Sequence, residues 1–193
     1  SKVKVYIKNF GEFYNNQIET AGTIILSRTQ KVSPEKLEAA VALLREKNKD
    51  AAIITTPWDE LDGKTILAAM EKVSLADELM EHIRAEHEAE EEEHHHHHHD
   101  HDADEVFTSW GAETPKTFTE ADIDRILTAL DGGEYGAILR AKGIVPCEGG
   151  KWLHFDYVPQ EHEVRFGPAD YTGRLCVIGS KLDEGRLAEL FGL

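Results

Sequence analysis

Cysteine is nearly absent from this chain, and the shortage decides several questions at once. Among 193 residues there are two, Cys147 and Cys176. They lie far apart and form no CxxC pair, which excludes a disulfide framework and a thiolate zinc site and fits a reducing compartment. There is no apolar run of about eighteen residues, and no positively charged segment leads into an apolar one, so neither a membrane span nor a signal peptide is read. The expectation is a soluble, cytoplasmic protein with no membrane partner. Basic charge is also short, with 21 Lys and Arg against 37 Asp and Glu, for a formal charge of -16. Such a balance opposes phosphate backbones and favours cations, so nucleic acid is not an expected partner and metal ions are. An initiator methionine is lacking too. The chain opens at Ser1 in mid-pattern, and the expectation is a piece of something longer.

What is present supports a core, since 40% of the residues are apolar, enough for one domain or two small ones. From Val3 to Ile18 apolar residues recur at three- and four-residue spacing, predicting an amphipathic helix. Thr23 to Ser27 is a short continuous apolar run, the mark of a strand buried on both faces. Ser33 then caps a helix with Pro34 at its first position and Leu37, Ala40, Val41 and Leu44 as its inward stripe. A second buried strand runs from Ala51 to Thr55, and Asp62 caps a helix through Gly63, Ile66, Leu67 and Met70. This alternation predicts part of a parallel α/β sheet, and two strands do not complete one. The missing strands are expected from residues before Ser1 or from another copy of the chain.

Residues 73–104 turn acidic and then histidine-rich. The helix formers Leu75, Leu79, Met80 and Ile83 fade into a run of charge that has no apolar side chains to bury, so these residues are expected to form a solvated, mobile linker between a first part, 1–72, and a second, 105–193. In the second part Val106 to Trp110 reads as a strand, and Thr119 caps a helix that stops at Gly132-Gly133. Four further strands follow, Ile138 to Val145, Lys151 to Val158, Glu163 to Phe166 and Arg174 to Ile178, and then a helix over Glu184 to Leu190. The second part is therefore expected to be α+β, an antiparallel sheet covered on one face by helices.

Together Phe10-Gly-Glu-Phe-Tyr14 with Gln17-Ile18, the loop Ser27-Arg-Thr-Gln30, the histidine-rich linker and Arg140-Ala-Lys-Gly143 resemble CobW-type GTPases over essentially the whole chain. The resemblance implies the last βα units of a P-loop GTPase sheet followed by a CobW C-terminal domain. It also implies a metal chaperone or insertase that uses GTP to deliver zinc, cobalt or iron to a client metalloprotein or assembly partner, with cobalamin synthesis or nitrile hydratase activation among the family's roles. Ser27, Arg28 and Gln30 fall at the family's guanine-reading loop, where an aspartate normally accepts two hydrogen bonds from the base. Gln30 departs from that pattern. Its amide offers one acceptor oxygen beside a donor, which weakens guanine recognition, while Arg28 can still stack on a base. A plain polar loop is the other reading. No catalytic residue is assigned, because a P-loop needs GxxxxGK[S/T]. Gly63-Lys64-Thr65 has Trp58 where the first glycine belongs, and Gly149-Gly150-Lys151 runs on into Trp152. The family's cysteine-rich metal motif is missing as well, so this chain alone is not expected to hydrolyse GTP.

Six consecutive histidines suggest a purification tag first, but this run is internal and flanked by further ligand-type residues. His94, His95, His96, His97, His98, His99 and His101, with Glu90 to Glu93, Asp100 and Asp102 beside them, form a set suited to zinc, cobalt or nickel. Adjacent histidines on a loose chain offer many interchangeable ligand sets, so buffering with little selectivity is expected. His82 and His87 lie on different helix faces. His154 reads as a packed or surface residue, His162 as part of a turn, Cys176 as a buried apolar group and Cys147 as an accessible thiol. Arg140 and Lys142 share one strand face, solvated or set against phosphate. Two other functions stay open, a non-enzymatic metal buffer and an interaction domain with a spacer, and a homo-oligomer is compatible with all three.

Overall fold

The computed structural model describes residues 15–71 and 107–193, together with residues 3, 75 and 79–81. Most of the predicted helix over Val3 to Ile18 lies outside these, but residues 15–19 are helical. Buried Val3 and Ile18 pack with Ala40, Val41, Leu44 and Ile53. The parallel pair is formed by β1 (Thr23–Ile25) and β2 (Ala52–Ile54), joined through α1 (Pro34–Arg45). Leu37 is only half-buried, while Ala40, Val41 and Leu44 carry the inward face. Ser33 occupies the position before α1, but its side chain makes no capping bond. The backbone amide of Glu35 and the Ser33 hydroxyl instead hold the Glu35 carboxyl below its ordinary range. At α2 (Gly63–Glu71) the expected cap is present, Asp62 Oδ1 accepting from the Thr65 amide at 2.7 Å.

One expectation for this unit needs correction. β2 is buried along its whole length, but β1 is not, and Ile25 is 46% exposed. Both runs are apolar, and the sequence does not say which strand has neighbours on both sides. β2 lies between β1 and a segment of the second unit, whereas the described residues flank β1 on one side only.

Asn48 organises the turn into β2. Its amide nitrogen donates to the carbonyls of Ile18 (2.8 Å), Glu19 (3.3 Å) and Ala21 (2.9 Å), and its oxygen accepts from the amides of Asp50 (3.0 Å) and Ala51 (2.8 Å). Five backbone groups near a buried side chain are thereby satisfied, which fixes the entries to both strands.

The second unit is a five-stranded antiparallel sheet in the order β3 (Thr108–Thr114), β7 (Gly173–Ser180), β4 (Ala137–Pro146), β5 (Trp152–Val158), β6 (Glu161–Phe166). Alternation along β5 sends Leu153, Phe155 and Tyr157 into the core. There they meet Ile123, Ile126, Leu127 and Leu130 of α3 (Glu120–Leu130) and Leu187 and Phe191 of α4 (Glu184–Phe191). A capping box starts α3, with Thr119 Oγ1 accepting from the Asp122 amide and Asp122 Oδ2 accepting from the Thr119 amide, both at 3.1 Å. Gly143, mid-strand in β4, is fixed by close approach, since a Cβ there would lie 2.4 Å from the Phe155 ring. Helices do not cover one face alone. On the opposite face Cys176 and Ile178 of β7 are buried beneath Leu75 and Leu79. His162, expected in a turn, lies in β6, because that strand begins two residues earlier than its apolar residues suggest.

The backbone hydrogen bonds between the two units fall on one short segment. The amides of Thr55 and Thr56 both donate to the Tyr171 carbonyl, at 2.8 and 3.1 Å, so residues 170–172 continue the edge of β2. Thr56 Oγ1 donates to the Asp170 carbonyl at 2.5 Å and Thr55 Oγ1 to Thr172 Oγ1 at 2.9 Å. Tyr171 packs with Ala52, Ile54 and Ala69, and its hydroxyl donates to Glu113. Arg45 reaches the same carboxylate at 2.5 Å. Arg174 pairs with Asp170 at 2.6 Å and lies over the Tyr171 ring.

Two outcomes follow from this packing. Asn48→Ala should cost about 2–4 kcal/mol, since it strands several buried backbone groups at once, and urea unfolding followed by far-UV circular dichroism reads it; a loss under about 0.5 kcal/mol would mean that water replaces the amide. Burial, together with the neighbouring carboxylates Glu113 and Asp131 respectively, pushes the Tyr171 and Tyr157 phenols well above their ordinary range. The native state therefore holds these protons more tightly than the unfolded chain, so stability is intact below about pH 10 and falls as pH rises beyond it. In an ultraviolet titration two of the five tyrosines should ionise only as the chain unfolds, and Tyr171→Phe should reduce that late component.

Candidate functional site

Strands of a parallel α/β sheet end with their carbonyl groups and following loops at one edge, and ligands of such sheets bind outside that edge. Here the loops following β1 and β2 meet at a cavity of about 520 Å3. From the β1 side it is lined by Thr29, Gln30, Pro34 and Leu37, and from the β2 side by Thr55, Thr56, Pro57 and Glu60. Its remaining wall comes from the second unit, chiefly the stretch from Pro146 to Trp152. The volume falls within the roughly 300–1,000 Å3 of ordinary small-ligand pockets.

The β1 loop is held in a specific shape. Leu26 donates from its amide to the Ile54 carbonyl at 3.0 Å, after which Arg28 takes a left-handed conformation (φ 61°) and Thr29–Lys31 form a 3-10 turn. Left-handed backbone is unfavourable for an arginine, and such strain persists where surrounding structure enforces it. Thr29 is the buried residue of the turn, and its Oγ1 has no hydrogen-bond partner among the described residues. A buried hydroxyl without a partner costs about 1–3 kcal/mol, so a polar ligand group that reached it would recover that energy. On the β2 side, burial and the adjacent Asp59 push the Glu60 carboxyl above its ordinary range.

The three sequence-assigned nucleotide residues are placed unequally. Gln30 lines the cavity, whereas Ser27 and Arg28 are exposed and do not contribute to its lining. Thr29, which sequence reasoning passed over between them, is buried and does. No side-chain pattern marks Thr29, whose burial comes from the 3-10 turn Thr29–Lys31 that precedes α1. Gly63-Lys64-Thr65 begins α2 with the Thr65 amide already bonded to Asp62, so an anion occupies the place that a phosphate would need.

All seven assigned metal ligands, His94 to His99 and His101, lie outside the described residues, as do His82 and His87. Among the described residues no group of three His, Cys, Asp or Glu side chains could hold a metal ion. His154 Nε2 lies 2.8 Å from the Pro168 carbonyl, and His162 Nε2 lies 2.8 Å from Asp124 Oδ1, so both are engaged in holding strands and α3 in place. Cys176 is buried and Cys147 half-buried. No helix of the described residues is long and apolar enough to cross a membrane.

Comparison with known proteins bears on the second unit. Residues 107–192 match the family model of the cobalamin synthesis protein cobW C-terminal domain. No curated protein matches. Among solved structures, the Zn(II)-bound YjiA GTPase from E. coli is similar at 16% identity and a TM-score of 0.41, over 99% of this chain and 57% of that one. A Zn(II)-bound triple mutant of YjiA GTPase gives 17% identity, the same TM-score and the same coverage. The chain thus spans little more than half the length of these structures. The family match runs from just before β3 to the end of α4, so the five-stranded antiparallel sheet with α3 and α4 on one face is the part of this chain that matches the cobW C-terminal domain.

Proposed function

We propose that this chain is the nucleotide-sensing and metal-collecting part of a metal-trafficking protein that uses GTP when its whole length is present. The observation that carries the nucleotide half is the cavity at the ends of β1 and β2, with the unpartnered Thr29 hydroxyl and the Gln30 amide on its wall. It lies where a parallel sheet presents ligands, and Gln30 of the family's base-reading loop, with its neighbour Thr29, reaches it. In this reading the base and ribose rest in the cavity, while the phosphates and their magnesium belong to a P-loop supplied elsewhere in the full-length protein. Because Gln30 stands in place of a carboxylate, guanine is preferred less strictly than by a loop with aspartate at that position.

The metal half rests on the sequence. Seven histidines from His94 to His101, set among carboxylates and joined directly to a cobW C-terminal domain, form a cation-collecting segment. Imidazole in its neutral form is the ligand, so protons compete and affinity falls below neutral pH. Zinc, cobalt and nickel all suit it, and delivery to a client metalloprotein would follow by ligand exchange. The parallel pair, residues 1–72, would be the last βα units of a P-loop GTPase sheet, with 73–104 as the linker and 105–193 as the client-facing domain.

Titration of Zn(II), Co(II) and Ni(II) against a competing chelator at neutral pH, for this chain and for a variant with all seven histidines changed to Ser, tests the metal half. Tight binding to the native chain and its loss in the variant is the expected result, with affinity weakening as pH falls below neutral because protons compete with metal for the imidazole nitrogens. Equal binding by both would remove the segment from metal handling and leave it a spacer.

A further inference from the structure

The cavity belongs to two units, and this goes beyond a base-reading loop. Nine of its lining residues, Pro115, Thr117 and Pro146 to Trp152, come from the cobW C-terminal domain. Between β4 and β5 the chain makes a tight turn, closed by the Cys147 amide donating to the Lys151 carbonyl at 2.7 Å. Gly149 and Gly150 both adopt positive φ, 71° and 72°, and nothing lies within 4 Å of where a Cβ would be at either. The turn therefore offers bare backbone amides and carbonyls, flanked by the Cys147 thiol and the Glu148 carboxylate. The Lys151 ammonium is held beside this wall, 4.8 Å from the Phe166 ring centre.

Its position is determined by the contact between units. Thr55 and Thr56 hold the Tyr171 carbonyl, Gly173 begins β7 two residues later, and β7 pairs with β4 through Ile144 and Arg174. β4 then ends at Pro146, opposite Trp152, and the turn follows. A continuous hydrogen-bonded path thus runs from the end of β2 to the turn that faces Thr29 and Gln30 across the cavity.

We propose that the turn from Cys147 to Lys151 forms the second wall of the nucleoside site, so that a purine nucleoside seated on the Thr29–Gln30 loop touches the C-terminal domain directly. The inference rests on the nucleoside reading given above. Its consequence is that occupancy of the site and docking of the two units are coupled, since a ligand in contact with both walls binds the docked arrangement more tightly than a separated one. The C-terminal domain becomes a reporter of whether nucleotide is bound.

The native thiol permits a test without mutation, because the only other cysteine, Cys176, is 1% exposed. The rate of Cys147 alkylation by iodoacetamide is measured by peptide mass spectrometry on the full chain across a guanosine titration, with adenosine in parallel. Amide chemical shifts are followed in the same titration by NMR. Guanosine should shift the amides of Thr29 and Gln30 together with those of Gly149, Gly150 and Lys151. At saturation it should slow alkylation roughly fivefold or more, the lower end of ordinary coupling between sites. Shifts at Thr29 and Gln30 with an unchanged alkylation rate and unmoved turn amides would overturn the two-walled site while leaving the base loop in place. No shift at Thr29 or Gln30 with either nucleoside would overturn the nucleoside reading itself, and this inference with it.

Discussion

Everything in this structure that places one unit against the other depends on where the hydrogen bonds at the end of β2 go. β2 is fully buried, and buried backbone amides must be paired. β1 serves one edge. Beyond Ile54 the amides of Thr55 and Thr56 are satisfied by a single acceptor, the Tyr171 carbonyl. That bond pair draws the segment Asp170 to Thr172 into the end of the parallel unit, and the buried Asp170–Arg174 pair keeps the segment in shape. The Tyr171 ring then fills the space between β2 and α2, with the Glu113 carboxylate accepting from its hydroxyl. Apolar packing gives this junction area, whereas the hydrogen bonds give it register.

Register is what creates the cavity. Were the segment shifted by one residue, the side chains of β7 would exchange faces, and the turn after β4 would no longer oppose Thr29. The same chain of pairings explains why Thr29 tolerates a buried, unpartnered hydroxyl. It is enclosed by packing decided elsewhere, in β2 and in the C-terminal domain, and not by its own local preferences.

The sequence revealed the antiparallel unit more fully than the junction. Alternation in β5 and the stripe Ile123, Ile126, Leu127, Leu130 in α3 are local patterns, and the Thr119 cap with Asp122 three residues on is legible within one turn. Junction residues carry no such pattern. Asp170 to Thr172 read as loop because their partners, Thr55 and Thr56, lie more than a hundred residues away. Asn48 carries no local signal, since its five partners are backbone groups that any residue possesses. β1 read as doubly buried because an apolar run cannot announce that it lies at an edge. Thr29 is hidden for the opposite reason: Ser27, Arg28 and Gln30 around it match a base-reading loop by side-chain type, while burial falls on the residue between them.

A cavity lined by two units also bears on how an acidic chain could serve both a nucleotide and a metal, as the proposed function requires. With a formal charge of -16, the chain repels free phosphate at long range and attracts cations. Its cavity is lined by threonine hydroxyls, the Gln30 amide, glycine backbone and apolar side chains. Glu60, Glu148 and Lys151 are the only charged groups among its described walls, so it carries one basic side chain toward a phosphate and suits a neutral base and ribose better. The histidines with their flanking carboxylates lie in the region of strongest negative charge, where a divalent ion gains most. Because adjacent imidazoles can replace one another, an ion bound there, as proposed above, would move along the segment without passing through a fully released state. A cage of four fixed ligands would hold metal more selectively and surrender it more slowly. Exchangeable ligands suit transfer, and the proposed two-walled nucleoside site would give that transfer a signal on which to depend.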